Sequence, residues 1–131
     1  RAMRALMDTH VFLWWALNEP HRIGSAAREL MEDPATELLL SAASTWELAI
    51  KLSKGKLRVS GSLEDVVAEA MQRFRIEELR ISQRHTLQVA ELPPHHADPF
   101  DRLLVAQAQV EQVALLSGDR AVAEYDADVR W

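Results

Sequence analysis

The sequence predicts an α/β fold: one domain in which a mostly parallel central sheet is flanked by helices. Three observations point there. The apolar runs Arg4-Ala5-Leu6-Met7, Glu37-Leu38-Leu39-Leu40-Ser41 and Val113-Ala114-Leu115-Leu116-Ser117 have the length and continuity of strands buried on both faces. Helical patterns with recognisable start and stop signals separate them. The 131 residues contain no internal repeat, low-complexity tract or Gly/Ser linker, which fits a single domain large enough to bury a core.

Taken in order, the first strand run ends at Asp8, and residues 11–17 read as a helix stopped near Asn18-Glu19-Pro20. Residues 25–31 carry a second helical pattern with Ser25 as N-cap. After the strand at 37–41, Ser44 or Thr45 can cap a helix over 46–53, closed by Lys54-Gly55. Ser62-Leu63-Glu64-Asp65 has the form of a capping box and opens a helix over 63–74. Residues 79–82 alternate like a strand, 83–91 look helical, and Pro93-Pro94 punctuates a loop. The pattern then gives a helix over 99–111, the strand at 113–117 turned by Gly118-Asp119, a short helix near 121–124 and a last strand at 128–131.

Composition narrows the chemistry. There is no cysteine, so disulfides, thiolate catalysis and sulfur-built zinc sites are excluded. No apolar run approaches the ~18 residues needed to span a bilayer, and no signal-peptide pattern opens the chain, so a cytoplasmic protein without a membrane segment is expected. Arg1 and Ala2 precede Met3 and read as a remnant ahead of the starting methionine, leaving 3–131 as the domain. The formal net charge is −5, whereas proteins that hold nucleic acid by bulk electrostatics are usually basic. A polyanionic substrate would need another attractor, and a divalent cation is the obvious one.

The acidic residues supply a place for it. In open parallel sheets, ligands sit beyond the carboxyl ends of the strands. Asp8 stands at the end of the first strand, where it also suits the N-cap of the next helix. Glu47 is expected in the first turn after the second strand, where the helix dipole favours it by ~0.3–1 kcal/mol. With Pro99 at the first helical position, Asp98 becomes N-cap and Asp101 falls at N3 on the same side. Their mutual repulsion is a cost that a cation would relieve. Asp119 follows the third strand in a Ser-Gly-Asp turn. Each acid has a structural explanation alone, but a parallel sheet gathers all of them at one edge. Hard cations such as Mg²⁺ or Mn²⁺ take oxygen ligands of this kind.

The stretches Leu6-Met7-Asp8-Thr9-His10-Val11-Phe12-Leu13-Trp14-Trp15, Ser44-Thr45-Trp46-Glu47-Leu48-Ala49-Ile50-Lys51 and Asp98-Pro99-Phe100-Asp101-Arg102-Leu103-Leu104-Val105-Ala106-Gln107-Ala108 resemble PIN-domain proteins, above all the VapC-type toxins of bacterial toxin–antitoxin pairs. The resemblance runs from about Arg4 to the end of the chain. It implies a Mg²⁺- or Mn²⁺-dependent endoribonuclease that leaves a 5′-phosphate and a 3′-hydroxyl. Asp8, Glu47, Asp101 and Asp119 match the family's acidic positions. Asp98 is the additional aspartate of the sub-group with a DPFDR stretch, ligating metal directly or through water, and Ser117 fills the Ser/Thr place before the last acid. The resemblance also implies a homodimer and a VapB-type antitoxin partner.

Lys51, Lys54, Lys56 and Arg58 form the one dense basic run, and with Arg102 they are the candidate RNA contacts. The run also suits a solvated helix end. His95 and His96 lie near the acids, but a metal makes a histidine base unnecessary, and a surface role is the expectation. Trp14 and Trp15 are expected in the core or a dimer interface. Two alternatives stay open, a catalytically silent PIN-fold interaction module and a PIN-type nuclease acting on DNA. A haloacid-dehalogenase-type phosphatase is disfavoured, because His10 stands where that chemistry expects a second aspartate.

Overall fold

Side-chain alternation along the apolar runs divides the core in two. Leu6, Leu39 and Leu115 belong to one buried cluster, while Met7, Leu38, Leu40 and Leu116 belong to the other, so each central strand is covered on both faces. The computed structural model describes residues 3–131, and the reading of Arg1 and Ala2 lies outside the described residues. Its strands are β1 (Arg4–Met7), β2 (Glu37–Ser41), β3 (Glu77–Leu79), β4 (Ala114–Leu116) and β5 (Val129–Arg130). They form one wholly parallel sheet in the order β3-β2-β1-β4-β5, with Leu6 opposite both Leu39 and Leu115.

Six α-helices flank it among the described residues: α1 (Thr9–Ala16), α2 (Ser25–Glu32), α3 (Ala42–Ser53), α4 (Leu63–Arg73), α5 (Gln83–Val89) and α6 (Pro99–Glu111). Val11 and Phe12 of α1, Ala27 and Met31 of α2 and Ala70 of α4 pack on the Met7 face. Leu104, Val105 and Ala108 of α6 pack on the Leu6 face. The chain therefore leaves β1 over one face to reach β2 and returns from β3 over the other face to reach β4. Beside β1 the strand order reverses, which opens a crevice at the carboxyl ends of β1 and β4. None of the described helices is long and apolar enough to cross a membrane.

Most departures from the sequence reading concern caps. The third helix starts at Ala42 rather than at residue 46, because Ser41, the last residue of β2, accepts the Ala43 amide at 3.0 Å. Ser44 and Thr45 are therefore inside the helix, and Glu47 belongs to its second turn, beyond the reach of a dipole effect. Ser25 does not cap α2. Gly24 occupies the cap, and the Trp131 carbonyl accepts the Ala26 and Ala27 amides at 3.0 and 3.1 Å. The third strand lies at 77–79, not 79–82, because Ser82 is used as the N-cap of α5 in a reciprocal capping box with His85. Helix α6 has the bounds read from the sequence, with Pro99 leading and Asp98 accepting the Phe100 amide at 2.8 Å.

Candidate active site

The crevice collects the acids from separate elements. Asp8 closes β1 and caps α1, its Oδ1 accepting the Val11 amide at 2.9 Å. It is 8 % exposed. Burial pushes its carboxyl up, while the Val11 amide and a hydrogen bond from Ser117 oppose the shift. Ser117 follows β4, and its hydroxyl also accepts the Asp119 amide at 3.2 Å. Asp119 is held from its other side, with Oδ1 accepting the Ala121 and Val122 amides at 2.8 and 3.3 Å. Burial works against its ionisation, but His96 and those two amides outweigh it, and the carboxyl lies below its ordinary value.

Asp101 is the most perturbed of the set. Burial, then the charges of Asp98 and Asp8, with Glu47 adding to them, push its carboxyl up to about 7 against the pull of His96. Asp101 thus feels the charges of Asp98, Asp8 and Glu47 together. Asp8, Asp101 and Asp119 line a cleft of about 250 Å³ together with His10, Trp14, Gly118 and Trp131. Glu47 and Asp98 line a second depression, shared with Lys51, Lys54, Lys56 and Phe100.

Glu47 tests whether these residues fit a cation. It is 7 % exposed; its Oε2 lies 3.4 Å from Lys51 Nζ, and its buried Oε1 has no hydrogen-bond partner. A buried carboxylate oxygen without a donor is costly unless something positive meets it. The acidic donors are all oxygen, which suits Mg²⁺ or Mn²⁺, and His96 adds one nitrogen beside Asp101 and Asp119.

His96 is the residue that sequence reasoning undervalued. Its Nε2 lies 2.9 Å from Asp119 Oδ2 and 3.1 Å from Asp101 Oδ2, and its Nδ1 accepts the Asp98 amide at 3.0 Å. The Asp98 contact fixes the proton of the neutral ring on Nε2, aimed at both carboxylates. His96 Nε2 therefore bridges Asp101 and Asp119, and these three side chains bring their ligand atoms within 4.8 Å of one another, close enough to hold a metal ion. The hydrogen bond to Asp119 is the chief reason its own pKa is raised. Nothing in the His-His spacing separates the two rings. His95 turns away, packing edge-on against Tyr125 at 4.9 Å.

The PIN-domain family profile matches residues 5–128, nearly the whole chain. The chain belongs to the PIN-domain family. No curated protein sequence matches it. Solved structures share the fold at low identity. VapBC2 from Rickettsia felis, bound to a DNA fragment from their promoter, superposes with a TM-score of 0.68 at 16 % identity, covering 98 % of each chain. VapBC-1 from nontypeable Haemophilus influenzae gives 0.64 at 17 %, covering 98 % of this chain and 97 % of that one. FitAB bound to an IR36 DNA fragment gives 0.55 at 19 %, with 96 % and 93 % covered.

In this PIN domain the other candidates divide. Lys54 and Lys56 are exposed beside the Glu47 depression, Lys51 also approaches His10 at 3.5 Å, and Arg58 is exposed but does not line that depression. Arg102, grouped with the RNA contacts on sequence grounds, is occupied by the fold. It donates to the carbonyls of Pro93, Val89 and Leu92 and to the Tyr125 hydroxyl, at 2.9–3.4 Å. Those bonds staple the 89–93 segment to α6 and engage the Arg102 guanidinium there. Trp15 packs on Phe74 at 5.4 Å against the core, whereas Trp14 borders both the core and the cleft.

Proposed function

We propose that this PIN domain is the toxin of a VapBC-type pair, a Mg²⁺- or Mn²⁺-dependent endoribonuclease neutralised by a VapB-type antitoxin. One observation carries the proposal, the crowding of buried carboxyl groups where the strand order reverses. Asp101 is pushed up to about 7 by burial and its acidic neighbours, while Glu47 keeps a buried oxygen without a partner. Asp8, Glu47, Asp101 and Asp119 would hold the ion, and Asp98 assists from the helix cap. A divalent cation bound there supplies a lowered pKa for attacking water and charge neutralisation at phosphorus.

The chain's own residues do the positioning. The Val11 amide and Ser117 anchor Asp8, and His96 holds Asp101 beside Asp119. Lys51, Lys54 and Lys56 line the depression beside Glu47 and Asp98, which supports a role for them in meeting phosphates flanking the cut. With a net charge of −5, RNA affinity rests on these lysines and the cation rather than on the whole surface. RNA as the substrate, and a 5′-phosphate with a 3′-hydroxyl as the products, follow from the VapC resemblance. The VapBC and FitAB neighbours support an antitoxin partner. A homodimer follows from the VapC resemblance alone. Trp46, 59 % exposed and edge-on to Phe100 at 5.0 Å, is an apolar surface suited to it.

Sequencing RNA ends after brief expression in cells tests the reading. New 5′-phosphate ends are expected with the parent chain and not with Asp8→Asn. Identical end profiles for the two chains would overturn it.

A further inference from the structure

The nuclease reading leaves one wall of the cleft without a role. Trp131 lines it beside Asp8, Asp101 and Asp119, and the residue is 39 % exposed. Trp131 belongs to neither buried core cluster, so core packing does not explain it. Yet it is firmly seated. A Cβ on Gly118 would lie 2.6 Å from Cε2 of the indole, and one on Gly24 would lie 2.8 Å from Cδ1 and 2.4 Å from the Trp131 carbonyl oxygen. Two glycines thus let the residue lie directly on the turn that carries Asp119 and on the start of α2. Its backbone is fixed as well, because its carbonyl accepts the Ala26 and Ala27 amides.

The indole continues into a row of rings. Trp14 lies 6.3 Å from Trp131, His10 lies 5.7 Å from Trp14, and the Arg22 guanidinium covers Trp14 at 4.8 Å. An exposed, immobilised aromatic surface with a cation near it, set against a phosphodiester site, matches what single-stranded RNA recognition uses. Unstacked bases lie on aromatic faces while the backbone meets positive charge.

We propose that Trp131 is a nucleobase platform: an unpaired base of the RNA next to the scissile phosphate stacks on its indole, and Trp14 and Arg22 extend the surface. The proposal rests on the nuclease reading and narrows it, since bases already stacked in a duplex cannot use the platform. Stacking tolerates any base, so the platform selects unpaired structure rather than sequence.

The test compares two short single-stranded probes of equal length and charge, an oligoadenylate and the same ribose-phosphate chain with abasic sites throughout. Binding is read by fluorescence anisotropy with Ca²⁺ in place of Mg²⁺. The parent chain should bind the oligoadenylate roughly 5- to 150-fold more tightly than the abasic probe, the range expected for one stacked base. Trp131→Ala should remove most of that preference, and Trp131→Phe should restore much of it, with Mn²⁺ affinity unchanged in both. Equal binding of the two probes by the parent chain would overturn the platform, and this arm needs no variant to fold. A base preference that survives Trp131→Ala would also overturn it, as would a Trp131→Ala effect confined to binding of a protein partner. Cleavage by the parent chain in Mg²⁺ or Mn²⁺ separates the two ideas. Cleavage without base preference sinks the platform alone, whereas base preference without cleavage on any RNA sinks the nuclease reading alone.

Discussion

Replacing Asp101 with asparagine should stabilise the metal-free protein while disabling its site. The carboxyl of Asp101 is pushed from its ordinary 3.8 up to about 7, first by burial and then by the charges of Asp98 and Asp8. Between those two values the folded protein keeps a proton that the unfolded chain has released. The unfolded state therefore binds fewer protons in this window, and stability falls as pH rises through it. At about 1.4 kcal/mol per pH unit, the penalty is below about 2 kcal/mol at pH 5 and reaches about 4 kcal/mol at pH 8. Asparagine does not titrate and escapes it. The stability advantage of Asp101→Asn should accordingly grow by about 2–3 kcal/mol from pH 5 to pH 8, or roughly 5–10 °C in Tm for a domain of this size. Calorimetric melts of both proteins in EDTA across that range measure it. An advantage that is flat with pH, or that shrinks as pH rises, would refute the electrostatic account of the cluster.

Three further outcomes follow from the same geometry. His96→Ala removes the donor shared by Asp101 and Asp119 and should cost about 1–3 kcal/mol of stability. Because the pKa of His96 is raised in the fold, that loss should be largest below its unfolded value and shrink as pH rises through the folded one, which urea melts at pH 6 and pH 9 would show. Arg102→Ala, which breaks the staple on the 89–93 segment, should lower stability by about 2–3 kcal/mol without changing the salt dependence of RNA binding. Replacing Lys54 and Lys56 together by alanine should leave Tm within a degree or two of the parent. It should raise KM for RNA several-fold and flatten the salt dependence, as expected for phosphate contacts.

The sheet and the acidic edge were legible in the sequence because their causes are local. Apolar runs of strand length, each followed by a carboxylate, admit few arrangements other than a parallel sheet with its acids at one end. The 99–111 helix was legible down to its bounds, since Pro99 and Asp98 are unambiguous start signals. Caps supplied from a distance were not. Ser25 looks like a cap, but the carbonyl that serves α2 comes from Trp131, more than a hundred residues away in the chain. Ser41 looks like the end of a strand and is also the start of a helix, which moves Glu47 a turn deeper. The same blindness hid His96. Its two carboxylate partners come from α6 and from the turn after β4, and only the folded topology brings them to one ring nitrogen. Arg102 shows the converse: its charge suggested RNA, and in the fold its donors meet backbone carbonyls that no sequence pattern reveals.

Cleavage by the purified chain decides whether the acidic crevice is a cation-dependent ribonuclease site. The purified protein is incubated with single-stranded RNA in Mg²⁺, in Mn²⁺ and in EDTA, beside Asp101→Asn and beside a DNA strand of the same sequence. Cation-dependent cutting of the RNA by the parent chain, with 5′-phosphate ends, none in EDTA and none by Asp101→Asn, is the predicted result. Cutting by Asp101→Asn at the parent's rate, or no cutting by the parent with either cation, would contradict it.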